Sequence, residues 1–329
     1  MTIDDDIETA LDRAAKTIDA ADRLTLMCHV TPDGDALGSM LGLHHALLAA
    51  GRQSVATFPE PFVVAPHYRD LPGLDLITRP AEVPRDVGVV VTFDCGSLGR
   101  LGNLAELAQS ADELIVIDHH VSNERYGSLN VIDAKAAASG VVVRRLIERM
   151  GLPLNREVAL CLYTALVCDT GRFQYESTTS GVFDLAAELL TFDLPVSQLS
   201  RTLFEEHSFA YLQLLGEALA NATLVAEQSF VWTSVDQALL ARHGVTMEEV
   251  EGLIDIIRRT SEADVACVLK EDVDGTVKVS LRSVGATDVE QLATAHGGGG
   301  HRFAAGFTSK DDIDTTVMRI RESLLSLPR

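Results

Sequence analysis

Apolar and polar positions in the first half of the chain switch between two periods. Residues 24–29 form a short apolar run ending in polar residues, and residues 36–50 follow with helical composition, closed by Gly51. Residues 89–94 and 114–118 repeat the buried-strand pattern, and 129–132 supplies a fourth strand. Residues 139–150, closed by Gly151, and residues 156–168 read as helices. Short apolar strands interleaved with helices predict an α/β fold with a mostly parallel sheet flanked by helices. In such sheets ligands gather beyond the carboxyl ends of the strands.

The pattern changes at 191–206, TFDLPVSQLSRTLFEE, which is mixed and lacks strand character; it reads as a connector able to act as a hinge. Beyond it, 208–221 is helical, 223–226 and 230–235 look like a strand pair, and 247–258 is helical again. Residues 264–270 and 276–282 form an expected hairpin around Asp274-Gly275, a favoured turn pair. A four-glycine run, 297–300, precedes a short strand and a final helix. The expected organisation is a first domain over 1–190, a linker over 191–207 and a smaller α/β domain over 208–329, with a cleft between the domains.

Composition narrows the field. With 329 residues, 47% hydrophobic and 23% charged, the chain suits a well-packed protein of two ordinary domains. Its formal charge of −21 argues against a broad basic footprint for long nucleic acid, since such binding draws on phosphate neutralisation. A short nucleotide remains compatible, because a metal site or a few arginines reverse the field within one cleft. No apolar run approaches the roughly 20 residues of a membrane helix. The acidic, helix-like stretch 1–20 resembles neither a signal nor a transit peptide. Cys28, Cys95, Cys161, Cys168 and Cys267 form no CxxC pair, which reads as reduced thiols in a cytoplasm, with packing roles favoured over redox chemistry.

Three of the expected strands end in the same chemistry. The first runs into His29-Val-Thr-Pro-Asp33-Gly-Asp35, the next ends at Asp94, and the third at Asp118-His119-His120. Asp169 closes the helix begun at Arg156. Neighbouring parallel strands would bring His29, Asp33, Asp35, Asp94, His119 and Asp169 to one edge of the sheet. Four carboxylates crowded together repel unless something compensates, and two divalent ions supply the matching charge. Mixed imidazole and carboxylate donors suit Mn²⁺ best, with Mg²⁺ or Co²⁺ as alternatives, and suit Ca²⁺ less. A single strand-end Asp is usually a cap, and His44 and His45 on a helix fit a packing role. The ordered coincidence of HxxxDxD, a strand-end Asp, DHH and a later Asp is what points to metal.

Those residues carry a resemblance. HVTPDGDALGS at 29–39, VTFDCG at 91–96, DHHVSN at 118–123, ALVCDTGRF at 165–173 and GGGGHRFAAGF at 297–307 resemble, in order and over nearly the whole chain, the DHH phosphoesterases with a C-terminal DHHA1 domain. They are most similar to the nano-RNase and pAp phosphatase (NrnA-like) group. The resemblance implies one ion held by His29, Asp33 and Asp94 and another by Asp35, Asp94, His119 and Asp169, with Asp94 bridging. It implies that His120 contacts the scissile phosphate, that Asp118 orients the site from behind, and that Asn123 has a phosphate or loop-fixing role. In the second domain it implies substrate contacts from Arg282, Gly298, Gly299, Gly300 and His301, the glycines by exposing backbone N–H groups.

The implied activity is two-metal phosphoester hydrolysis of very short substrates: oligoribonucleotides of a few residues, linear pApA, 3′-phosphoadenosine 5′-phosphate, and cyclic di-AMP as a further candidate. The resemblance also implies a homodimer. Competing readings are a nucleotide sensor that binds without hydrolysis, and an inorganic pyrophosphatase, whose C-terminal domain lacks the GGGH signature.

Overall fold

The computed structural model describes residues 6–326, and the chain divides into two compact units between Glu205 and Glu206. The first unit runs α1 (Ile7–Asp19), β1 (Leu24–Cys28), α2 (Gly34–Ala49), β2 (Val55–Thr57), β3 (Val89–Phe93), α3 (Ala105–Gln109), β4 (Glu113–Asp118), β5 (Leu129–Ile132), α4 (Ser139–Arg149), α5 (Arg156–Asp169), α6 (Ser180–Leu190) and α7 (Val196–Phe204). Its five strands are all parallel, in the order β2-β1-β3-β4-β5. Every residue of β1 and β3 is buried, as a parallel sheet covered on both faces requires.

Helices α2 and α5 are apolar around most of their circumference because both lie inside the unit. They approach closely at Gly38, where a Cβ would lie 2.4 Å from the Cys161 carbonyl oxygen. Sheet register then sets the functional edge. Cys28 pairs with Phe93, and Phe93 with Ile117, so the next residues in register, His29, Asp94 and Asp118, stand side by side at the carboxyl ends of the three adjacent strands.

The segment expected as a connector, 191–207, instead carries α7, and its Leu199 and Leu203 are buried in the first unit's core. Spacing of three to four residues between apolar positions gives that helix one core-facing stripe, which the mixed composition around Pro195 concealed.

The second unit contains α8 (Phe209–Ala220), β6 (Thr223–Val225), β7 (Phe230–Val235), α9 (Gln237–His243), α10 (Leu253–Ile257), β8 (Val265–Glu271), β9 (Val277–Ser283), α11 (Val289–Ala295), β10 (Gly299–His301), β11 (Ala304–Ser309) and α12 (Ile313–Ser326). Its strands run β10-β11-β9-β8-β7-β6, antiparallel except for the β7–β8 pair. The helix expected over 247–258 is broken into a 3₁₀ turn at Glu248–Val250 and the short α10, with Gly252 between them. Among the described residues no helix is long and apolar enough to cross a membrane.

Candidate metal centre

Each side chain at the sheet edge is placed by a distinct local device. Asp94 follows β3 with a left-handed φ of 53°, a conformation Asp tolerates better than most side chains, and its amide donates to the Ile117 carbonyl. This turn swings the carboxylate back over the strand ends. Asp33 caps α2, its Oδ1 accepting from the amides of Asp35 (3.1 Å) and Ala36 (3.0 Å). Its Oδ2 lies 3.7 Å from His29 Nε2. Capping and metal binding are therefore compatible at Asp33, one oxygen serving each. Asp169 is the last residue of α5, with its Oδ2 3.1 Å from His119 Nε2.

Asp94 sits between the two histidines. Its Oδ2 is 3.6 Å from His29 Nε2 and its Oδ1 is 3.5 Å from His119 Nε2. The other ring nitrogens face backbone: His29 Nδ1 is 2.8 Å from the Val30 carbonyl, and His119 Nδ1 is 3.2 Å from that of Ala136. An imidazole that gives its Nδ1 proton to a carbonyl keeps the Nε2 lone pair for a cation. His29 Nε2 is fully buried and has no hydrogen-bond partner, although two carboxylates stand near it. A buried nitrogen in that position is costly unless something binds there. The donor set thus fits divalent ions: His29, Asp33 and Asp94 cluster on one side, and Asp35, His119 and Asp169 on the other.

Electrostatics agree. Burial alone would raise Asp94, but the imidazoles of His29, His120 and His119 hold it well below the usual carboxylate range. Burial and Arg100 push His29 down, yet the facing carboxylates of Asp33 and Asp94 win and lift it to about 9. His119 is lifted against burial to about 11, chiefly by Asp169, with Asp35 and Asp94 adding to it. Burial, followed by Asp94 and Asp169, pushes Asp35 well up. Protons on the histidines stand where cations would otherwise balance the carboxylates.

Asp118 is saturated. Its Oδ1 accepts from the His119 amide (2.7 Å) and His120 amide (3.2 Å) and lies 2.7 Å from His120 Nδ1, while Oδ2 accepts from Asn123 Nδ2 at 2.5 Å. Asn123 also donates to the Cys95 carbonyl, tying the loop after β4 to the residue after Asp94. Sequence reading missed several supports. Ser139, at the start of α4, donates its amide to Asp35 Oδ2 (2.6 Å) and its hydroxyl to Asp94 Oδ1 (3.1 Å). Gly140 N and Ser39 Oγ donate to Asp35 Oδ1. The Arg100 carbonyl accepts from Val30 N, fixing the backbone after His29. Only Ser39, four residues after Asp35 on one helix, carried a readable spacing signal.

The remaining expected residues lie in the second unit. His301 pairs with Ala304, and Ala304 with Arg282, so His301 and Arg282 share one face of that sheet with a single methyl between them. Arg282 Nε is 3.7 Å from Asp255 Oδ1. The glycine run is less open than expected. The amides of Gly297 and Gly298 donate to the Thr294 and Ala293 carbonyls, ending α11. A Cβ at Gly298 would lie 2.1 Å from the Gly306 carbonyl oxygen, whereas one at Gly299 would meet open space. The Gly298 amide is thus already spent inside the fold, while Gly299, like Gly297, is exposed.

Comparison with known proteins gives a consistent answer. The family model described as DHH family, N-terminal domain, matches residues 23–166, and that of the DHHA1 domain matches 228–325. The bifunctional oligoribonuclease and PAP phosphatase NrnA of Thermus thermophilus is 32% identical over 298 residues, covering 90% of this chain and 87% of that protein. The Bacillus subtilis protein of the same name is 28% identical over 307 residues, covering 91% and 94%. An exopolyphosphatase-related protein from Bacteroides fragilis has a solved structure matching with a TM-score of 0.88 at 26% identity, covering 97% and 96% of the two chains.

Proposed function

The chain belongs to the DHH family and carries a DHHA1 domain, and from that membership we propose a divalent-metal-dependent phosphoesterase acting on short oligoribonucleotides, linear dinucleotides such as pApA, and 3′-phosphoadenosine 5′-phosphate. The observation that carries this reading is the split carboxylate of Asp94, one oxygen facing His29 and the other His119, beside a buried His29 Nε2 that lacks a partner. His29, Asp33 and Asp94 would hold one ion, and Asp35, Asp94, His119 and Asp169 the other. Bound there, divalent ions supply Lewis acidity to the phosphoryl group and favour ionisation of an attacking water. Mn²⁺ is the first candidate because the donors mix imidazole and carboxylate.

The chain's own residues divide the remaining work. Asp118 fixes the His120 ring through Nδ1 and, against burial and with Asp94, raises its pKa, so that as an imidazolium His120 would donate from Nε2 to a phosphoryl oxygen. Asn123 holds Asp118 from its other oxygen, so the three act as one unit. Hydrolysis joins a water oxygen to phosphorus and breaks the bond to the ribose oxygen, which leaves with a proton. Arg282 and His301, on one face of the second sheet, would engage a further phosphate or the base, with the exposed Gly299 backbone beside them. The relatives named as oligoribonuclease and PAP phosphatase support the substrate class.

The test is a kinetic panel of pAp, pApA, cyclic di-AMP and three- to five-residue RNAs on one preparation with Mn²⁺. Mononucleotide release from pApA and AMP from pAp is the expected result. Absence of turnover with Mn²⁺, Mg²⁺ and Co²⁺ alike would overturn the proposal and leave a nucleotide-binding protein.

A further inference from the structure

We infer that Ser139 is a positioning residue of this centre: its hydroxyl sets the rotation of the Asp94 carboxylate, so that one oxygen is kept for each ion. The inference rests on the two-ion reading above. A carboxylate turns easily about its terminal torsion, which has broad minima rather than sharp staggered wells. A bridging ligand cannot use that freedom, because a quarter turn would take both oxygens out of line with their ions. The imidazoles do not fix the plane, since His29, His119 and His120 all stand 3.5 Å or more from the Asp94 oxygens. The Ser139 hydroxyl is nearer, 3.1 Å from Oδ1, the oxygen that faces His119.

The serine is itself held rigidly. It is fully buried at the first turn of α4, and its amide donates to Asp35 Oδ2 at 2.6 Å. Gly140 N reaches the other Asp35 oxygen at 2.9 Å. One residue therefore braces two ligands from separate elements, Asp35 on α2 and Asp94 after β3. The hydroxyl touches only the oxygen on the His119 side, whereas an ion held by His29 and Asp33 would itself re-fix the other oxygen, so loss of the hydroxyl should act unequally on the two ions. Outer partners of ligands typically contribute about 10–100-fold in metal affinity.

Calorimetric titration of metal-free protein with Mn²⁺, comparing wild type with Ser139→Ala, tests this. Alanine removes the hydroxyl and keeps the amide bond to Asp35. The expected result is one ion bound within threefold of the wild-type affinity and the second weakened roughly 10–100-fold. A serine that merely fills space would lower the melting temperature of the metal-free protein without changing the ratio of the two binding constants. An unchanged ratio, whether both ions bind as in wild type or both weaken equally, overturns the inference. A wild-type protein that binds fewer than two Mn²⁺ overturns the two-ion reading itself, and this inference with it.

Discussion

Gly34 stands against Cys168 so closely that a Cβ on the glycine would lie 2.3 Å from the Cys168 sulfur. The contact joins the first residue of α2 to the penultimate residue of α5, and so ties the Asp33–Asp35 loop to Asp169. Glycine is needed there for space rather than for backbone freedom.

Gly34→Ala should therefore push α2 away from α5 and spread the carboxylates on either side of it. The expected outcome is a loss of Mn²⁺ affinity of at least about tenfold, larger than the fall in melting temperature alone would explain. Adding Cys168→Ala should recover part of the loss, because the sulfur is removed but the Cys168 Cβ, 2.9 Å from the added methyl, remains. Titration of both variants checks this; no recovery in the double variant would show that the contact is not the cause.

Asp94 combines a left-handed backbone with a buried charge, and two substitutions separate the parts. Asn accepts the same backbone region, so Asp94→Asn should fold with a near-normal melting temperature. The substitution removes the charge that would bridge the proposed ions, so turnover of pApA should fall by more than the roughly 10–100-fold that losing a ligand's hydrogen-bond partner costs. Asp94→Val should also lose stability, because a β-branched residue is strained at that φ. Thermal melts and turnover measured on both variants distinguish charge from conformation.

The pKa shifts set a pH dependence whose sign can be worked out. In metal-free protein His29 is raised from 6.5 to about 9 and His119 to about 11. A raised histidine stabilises the fold fully below its unfolded value, and that stabilisation is lost as pH climbs through the folded value. Asp35 and Asp169, raised by burial, act in the same direction as pH rises. Metal-free protein should thus melt progressively lower between about pH 6.5 and 9. Mn²⁺ must displace these protons, so its affinity should rise over the same window and binding at pH 7 should release protons. Melting curves with and without chelator, and calorimetry in buffers of different ionisation enthalpy, check both signs. A metal-free protein that gains stability towards pH 9 would contradict the geometry of the histidine–carboxylate cluster.

Part of this candidate centre was legible because several of its residues close an apolar run, and a strand's end can be read from its own residues. His29, Asp94 and Asp118 advertise themselves in that way. Their alignment depends on strand order and register, Cys28 with Phe93 and Phe93 with Ile117, which no local stretch encodes. Ser139 and Arg100 were invisible for the same reason: a serine opening a helix does not say which distant carboxylate it will meet. α7 escaped because Pro195 and its polar neighbours hid the stripe of Leu199 and Leu203. The glycine run was read as an open cradle because composition gives the freedom of glycine and not its neighbours.

That last point yields a prediction within three adjacent glycines. Gly298 and Gly300 are confined by the neighbouring strand: a Cβ would lie 2.1 Å from the Gly306 carbonyl oxygen in the first case and 2.5 Å from that of Ala304 in the second. Gly300 also has a φ of 143°, which an L-residue rarely adopts. Gly299 meets nothing and has ordinary φ. Gly298→Ala and Gly300→Ala should therefore destabilise the second unit by about 1–3 kcal/mol each, the usual range for overpacking. Gly299→Ala should leave the melting temperature within about a degree, since surface changes away from such features are usually small. If the exposed Gly299 backbone approaches substrate, its alanine variant should raise KM for pApA while kcat stays within about twofold, the signature of lost binding shared by ground and transition states. Melting curves separate the first pair from the third, and steady-state kinetics on Gly299→Ala decide whether this stretch of backbone meets the ligand. An unchanged KM would restrict the binding surface of the second unit to Arg282, His301 and their face of the sheet.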